Sequence, residues 1–292
     1  MKRFVRTLIS AVMLGVLVIA LSLTLQIWHG QAAVTKAFTI PNGTRVLCLG
    51  SSHTGCTWQE GDGVHSIWLN GSAFVFSLMR LKELERLGQL SEIKYCLVDA
   101  DYEGLCGRMK EKHVEETALQ SAYFVWRYLE FLSDVEWKYV WAALTWLGHR
   151  RDFKSSLPSG GNVYKSLSDE KRDGLLKEAE SAILSETATS QSVVKMNRKA
   201  LEEMKRLCDA HGIRLILFAG PLVKGHPLRG LHRDLLDGWK AFCRERGVEY
   251  WDLRDEMSDD LFYDIDHLST EGRRDISIKY LSRLCDGLDS KH

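Results

Sequence analysis

Hydrophobic and polar positions divide the chain into one long apolar run and a series of short ones. From Thr7 to Trp28 no residue carries a charge. As a helix rising about 1.5 Å per residue, this stretch would be roughly 33 Å long, enough to cross a ~30 Å hydrocarbon core. Five short apolar runs follow, rich in β-branched and aromatic residues: 45–50, 65–70, 93–99, 213–219 and 248–253. Each is bounded by Gly, Asp, Asn or Pro, and each predicts a strand.

Between these runs the apolar spacing is helical. Phe74, Leu78, Leu81, Leu84 and Leu87 fall on one face of a helix over 74–87. Helices are also predicted over 194–211 and 231–246, stopped by Gly212 and Gly247, and over 270–284. Strand–helix alternation with near-continuous apolar strands predicts an α/β fold: a three-layer, flavodoxin-like parallel sheet with helices on both faces. The rhythm breaks between about 113 and 191, where only helical pattern and polar turns occur, so a helical insertion is expected there. Its aromatic run, Tyr123 to Trp146, reads first as a small core. A membrane-facing surface and a carbohydrate-stacking platform remain alternatives. The expected organisation is a cytoplasmic stub and anchor over 1–33 and one α/β domain over 34–292.

Composition adds the compartment. The 292 residues carry 39 Lys plus Arg and 39 Asp plus Glu, a balance that argues against a nucleic-acid partner. That balance is uneven along the chain. Lys2, Arg3 and Arg6 precede the apolar run with no acid among them, leaving 36 basic against 39 acidic residues beyond Trp28. A basic flank before the span keeps the N-terminus cytoplasmic and exports the remainder, with Trp28 as an interfacial anchor. A cleaved signal peptide is the rival reading. Its apolar region is usually about 7–15 residues, and the only cleavage-like pattern here is Gly30-Gln31-Ala32-Ala33. Either way the globular part, periplasmic or extracellular, works outside the cytoplasm.

Seven cysteines stand at 48, 56, 96, 106, 208, 243 and 285 without a Cys-x-x-Cys or a Cys/His cluster. No metal site and no cofactor is expected from them. Cys48 and Cys96 read as buried small hydrophobes, and a Cys56–Cys106 bridge is one open pairing. Asn42 and Asn70 open glycosylation-like triplets, a pattern frequent by chance. His226, Arg229 and His232 read as solvated surface.

Two blocks carry chemistry. The first strand ends in Leu49-Gly50-Ser51-Ser52-His53, which places a serine at the carboxyl edge of the sheet, where open α/β folds bind ligands. Serine becomes a nucleophile only when a base removes its proton. Near the other end, Asp264 lies three residues before His267 in a turn leading into the last helix. An aspartate so placed can orient the imidazole through one ring nitrogen and leave the other for a nucleophile. Asp266 is a rival partner, set aside because adjacent residues in a turn rarely face one another. After the fourth strand, Gly220-Pro221-Leu222 forms a loop at the same sheet edge. It lacks the Gly-Lys-Ser/Thr ending of a phosphate loop.

Together the blocks resemble the SGNH/GDSL hydrolase superfamily, on Gly50, Ser52 and His53 and on Asp264, His267, Leu268 and Gly272. The resemblance spans roughly residues 44–285. It implies Ser52 as nucleophile and first oxyanion donor, His267 as general base and Asp264 as its orienting partner. It also implies Gly71 and Asn70 as further oxyanion donors, with His53 and Pro221 on the substrate side. The family's asparagine turn after the third strand is missing; Asp99-Ala100-Asp101-Tyr102 stands there. The anchor makes the chain similar to envelope members of the superfamily, among them the alginate O-acetylation and D-alanyl-lipoteichoic acid biosynthesis proteins. The implied reaction is O-acyl transfer to, or hydrolysis from, a cell-envelope glycan, with acetyl the acyl group expected. The implied partner is a membrane-bound O-acyltransferase, besides the bilayer held by residues 7–28. The other reading is a catalytically silent glycan-binding or scaffolding protein on the same fold.

Overall fold

The computed structural model describes residues 2–61, 63–69, 72, 74–100, 163–185, 191–230 and 233–289. Helix α1 (Lys2–Ala37) contains the span Arg3–Ser22, which is long and apolar enough to cross a membrane and is not buried against the rest of the chain. Beyond it the order is β1 (Val46–Gly50), α2 (Ser52–Thr57), β2 (Val64–Trp68), α3 (Phe74–Arg86) and β3 (Tyr95–Asp99). Then come α4 (Val163–Ser166), α5 (Asp169–Ser185), α6 (Gln191–Ala210), β4 (Arg214–Ala219), α7 (Arg233–Glu245), β5 (Glu249–Asp252) and α8 (Thr270–Asp289).

All five strands are parallel, in the order β2-β1-β3-β4-β5. This is the doubly wound order with its switch point between β1 and β3, where the connections leave in opposite directions and open a crevice at the strand ends. The structure is therefore an α/β fold with a parallel sheet. Alternate strand residues supply two cores. Leu47, Leu49, Cys96, Val98, Leu215 and Leu217 join α3, α6 and α7 on one face. Val46, Cys48, Leu97, Ile216 and Phe218 join Trp58, Tyr164 and α8 on the other. Trp58 is 1% exposed and meets Phe218 edge-on at 5.1 Å between ring centroids, a geometry that adds to plain area burial.

The stripe on α3 is buried as its spacing requires: Phe74, Leu78, Leu81 and Leu84 all lie in the first core. Helix α6 stops where its glycine permits. Gly212 takes φ 66°, and Ile213 N–H reaches back to Cys208 O at 2.8 Å, the bond that closes a helix with a left-handed residue.

Some expectations shift. Strand β2 ends at Trp68, two residues short of the apolar run. His226 is buried, at 6% exposure, because its Nδ1 accepts the Leu228 N–H and caps the short turn Pro227–Arg229. Arg229 is bound to Asp255 across that turn. Cys56 is a buried free thiol, as are Cys48, Cys96, Cys208 and Cys243. Cys106, His232, Asp101 and the aromatic run 123–146 lie outside the described residues. The described part of the segment after β3 is helical, and Tyr164 on α4 is buried in the second core.

Candidate active site

The turn from β1 into α2 is tight. A Cβ on Gly50 would stand 2.4 Å from Asp99 Cβ and 2.2 Å from Thr54 Oγ1, and the residue has φ 155°. Only glycine fits such an approach. Ser51 caps α2, its Oγ accepting the His53 N–H at 3.2 Å. Asp99, at the end of the neighbouring strand β3, fixes that cap. Its Oδ2 accepts the Ser51 hydroxyl at close range and faces the Ser51 N–H at 3.4 Å. Thr54 Oγ1 donates to Leu49 O at 3.1 Å. Ser52 is thereby held at the first position of α2, beside the switch point. The N–H of a first helical residue has no intrahelical partner, and that of Ser52 makes no hydrogen bond among the described residues.

The second block curls on itself. Asp264 Oδ1 accepts the N–H groups of Asp266 at 3.1 Å and His267 at 2.8 Å, an Asx-type turn. Tyr263 N–H bonds back to His267 O at 2.8 Å, and Phe262 bridges to Leu268. Gly272 lets α8 pack on this turn; a Cβ there would stand 2.5 Å from Leu261 O. The curl brings the imidazole over its aspartate. His267 Nδ1 lies 3.0 and 2.9 Å from the Asp264 oxygens, and Nε2 lies 3.1 Å from Ser52 Oγ.

Asp266 overturns the argument that set it aside. Although adjacent to His267 in sequence, its Oδ1 is 3.0 Å from His267 Nδ1. Its other oxygen is 3.5 Å from His53 Nε2. The Asx turn is the reason: two consecutive N–H groups bound to one Asp264 oxygen fold the backbone tightly enough for neighbours to meet. The rings of His53 and His267 are 5.2 Å apart.

Charge in this cluster favours an imidazolium. Burial pulls the His267 pKa down, but hydrogen bonds to Asp264 and Asp266 outweigh it and push the ring up to about 9. Burial pushes the Asp266 carboxyl up, and its bonds to His267 and His53 more than reverse that, holding it well below the ordinary range. His53, Asp266 and His267 offer donor atoms within 4.8 Å of one another and could hold a metal ion. Taking His267 for that purpose would compete with its contact to Ser52.

Beside His53 a small cleft runs along the end of β4, lined by Ala219, Gly220, Leu222, Leu228, Leu236 and Arg254. Pro221 is buried between two of these lining residues. Arg254 is tied to Asp252 and to Leu228 O, so it closes the cleft without offering a free charge. Asn70 and Gly71 lie outside the described residues. Ser52, His267 and Asp264 are thus brought together, and His53 stands next to them.

Three participants were not legible in the sequence. Nothing in the spacing marks Ser51 as a cap, Asp99 as its partner or Arg80 as a buried group. Arg80 is 3% exposed, and its guanidinium donates to Gly50 O at 3.0 Å and to Ser72 Oγ at 2.8 Å. Its only sequence signal is a cation at the position after Leu78 and Met79, inside a run that is otherwise buried.

No protein-family model and no curated protein matches the chain. Among solved structures it is similar to a proposed acylhydrolase from Bacteroides fragilis, at 11% identity and a TM-score of 0.41, over 87% of this chain and 94% of that one. At that level the likeness bears on no individual residue of the site.

Proposed function

We propose that this chain is an extracytoplasmic, membrane-anchored serine enzyme of the SGNH/GDSL type that moves an ester-linked acyl group, acetyl in the first instance, on a cell-envelope glycan. One observation carries the reading: Ser52 Oγ, His267 Nε2 and the Asp264 carboxylate form a continuous hydrogen-bonded line. In that line Nδ1–H donates to Asp264, and the neutral ring accepts the Ser52 proton through Nε2. Ser52 Oγ then attacks the acyl carbon, the developing oxyanion takes the Ser52 N–H, and His267 returns the proton to the departing alcohol. General-base action of this kind is worth about 10²–10⁴-fold.

The resulting acyl-Ser52 intermediate serves both outcomes. Water as acceptor gives hydrolysis and a sugar hydroxyl gives transfer. The apolar N-terminal helix favours transfer, because tethering beside a membrane-bound O-acyltransferase raises the effective concentration of the acyl donor. The test is turnover of an activated acetyl ester by the full chain in detergent, with and without an envelope glycan. Turnover that vanishes in Ser52→Ala supports the enzyme, and an acetylated glycan product selects transfer. Equal turnover in wild type and Ser52→Ala contradicts the reading and favours a silent binding or scaffolding role.

A further inference from the structure

Arg80 is a buried cation without a buried anion. It is 3% exposed, both its hydrogen-bond acceptors are neutral, and no ion pair joins it to a carboxylate among the described residues. Burying an uncompensated charge is costly, and proteins retain such groups where the charge has work to do. Burial lowers its pKa only to about 10, so it remains a cation at neutral pH.

Its two contacts say where the charge acts. Gly50 is the pivot that presents Ser51 and Ser52, and Ser72 belongs to the turn that follows β2. In the acyl-Ser52 reading the first of these turns supplies the Ser52 N–H to the oxyanion. Asp99, at the end of β3, binds Ser51, the residue before the nucleophile, through its carboxylate. A cation fastened to Gly50 favours negative charge that develops beside the Ser52 N–H.

We propose that Arg80 is a positioning residue for the oxyanion site, tying the β1 turn to Ser72 after β2 and setting a fixed positive charge behind the Ser52 N–H. This rests on the acyl-Ser52 reading. When Ser52 Oγ bonds to the acyl carbon, its proton passes to His267 Nε2 and the carbonyl π electrons move to oxygen. Arg80 stabilises that oxygen through the turns it holds and through its charge, not by contact. Such preorganised charge acts on the transition state more than on bound substrate.

The test uses the full chain in detergent with an activated acetyl ester, comparing wild type, Arg80→Gln, Arg80→Lys and Ser72→Ala, with melting temperatures for each. The glutamine can still donate to an acceptor but has no charge, and the lysine keeps the charge. The expected result is a fall in kcat of about 10²-fold in Arg80→Gln at nearly unchanged KM, with recovery of about tenfold of that loss in Arg80→Lys. Wild-type kcat in Arg80→Gln overturns the proposal. So do equal losses in the two Arg80 variants that follow their melting temperatures. If Arg80→Gln does not fold, Ser72→Ala decides: a several-fold drop in kcat at an unchanged melting temperature supports the role, and wild-type kcat overturns it. An inactive wild type instead removes the acyl-Ser52 reading itself, and the Arg80 role with it.

Discussion

Ser52 and His267 are 215 positions apart in the chain, and their side chains meet at 3.1 Å. The sheet makes the meeting possible. Ser52 follows the interior strand β1, and the turn carrying His267 leads into α8, which packs on the same sheet face as Trp58.

The first prediction concerns pH. Only the neutral His267 ring accepts the Ser52 proton, and its pKa is pushed up to about 9 against an ordinary value of 6.5. A pH profile of kcat/KM for an activated ester is expected to rise through neutrality toward a limb centred near 9. Asp266→Asn removes one of the charges responsible and is expected to move the limb toward neutral pH. Stability has the opposite slope. A raised folded-state pKa makes the His267 contacts fully stabilising below 6.5, and that contribution is lost as pH rises through about 9. Melting temperatures across the same range check the sign.

The second concerns the pair of carboxylates. Asp264 and Asp266 both reach His267 Nδ1 within 3.0 Å, so each can substitute in part for the other. Asp264→Asn, whose amide oxygen can keep the turn that holds Asp266, is expected to cost about tenfold in kcat/KM and the double variant with Asp266→Ala about 10³-fold, a larger loss than the product of the two single losses. Kinetics of the four-member cycle measures the coupling.

The third concerns Gly50. A methyl group there would collide with Asp99 Cβ at 2.4 Å, and both are held by backbone. Gly50→Ala is expected to destabilise the fold by about 1–3 kcal/mol and to abolish turnover by displacing Ser52. Urea unfolding and ester hydrolysis report the two effects separately.

The architecture was legible because burial enforces it. Strands that are apolar on both faces and helices with one apolar stripe leave little freedom, and all five strands appear within two residues of their apolar runs. The serine and the Asp-x-x-His turn were legible because their chemistry needs those residue types. What escaped was set by aperiodic turn geometry and by long-range packing. The Asx turn that swings Asp266 onto His267 depends on hydrogen bonds that no spacing rule reveals. Asp99 and Arg80 act through Ser51 and Gly50, partners fixed only once β3 and α3 have packed. His226 looked exposed for the same reason, since its burial follows from a three-residue turn with no periodic signal.

The fourth prediction concerns the N-terminal helix. Among the described residues nothing packs on the apolar surface of Arg3–Ser22, so the full chain is expected to stay with membranes after alkaline extraction. A chain lacking residues 2–28 is expected to be released. With three basic residues ahead of the uncharged run that begins at Thr7, a protease added outside intact cells or spheroplasts is expected to reach the α/β part. Protection of that part reverses the assigned orientation.

The most direct measurement is the mass of the Ser52 peptide. The full chain in detergent is quenched in acid after brief exposure to an activated acetyl ester, digested and weighed. One added acetyl group on the peptide containing Ser52, absent in Ser52→Ala and strongly reduced in His267→Ala, is the predicted result. An unmodified Ser52 peptide in the wild type, or an acetyl group that forms equally well without His267, contradicts the account.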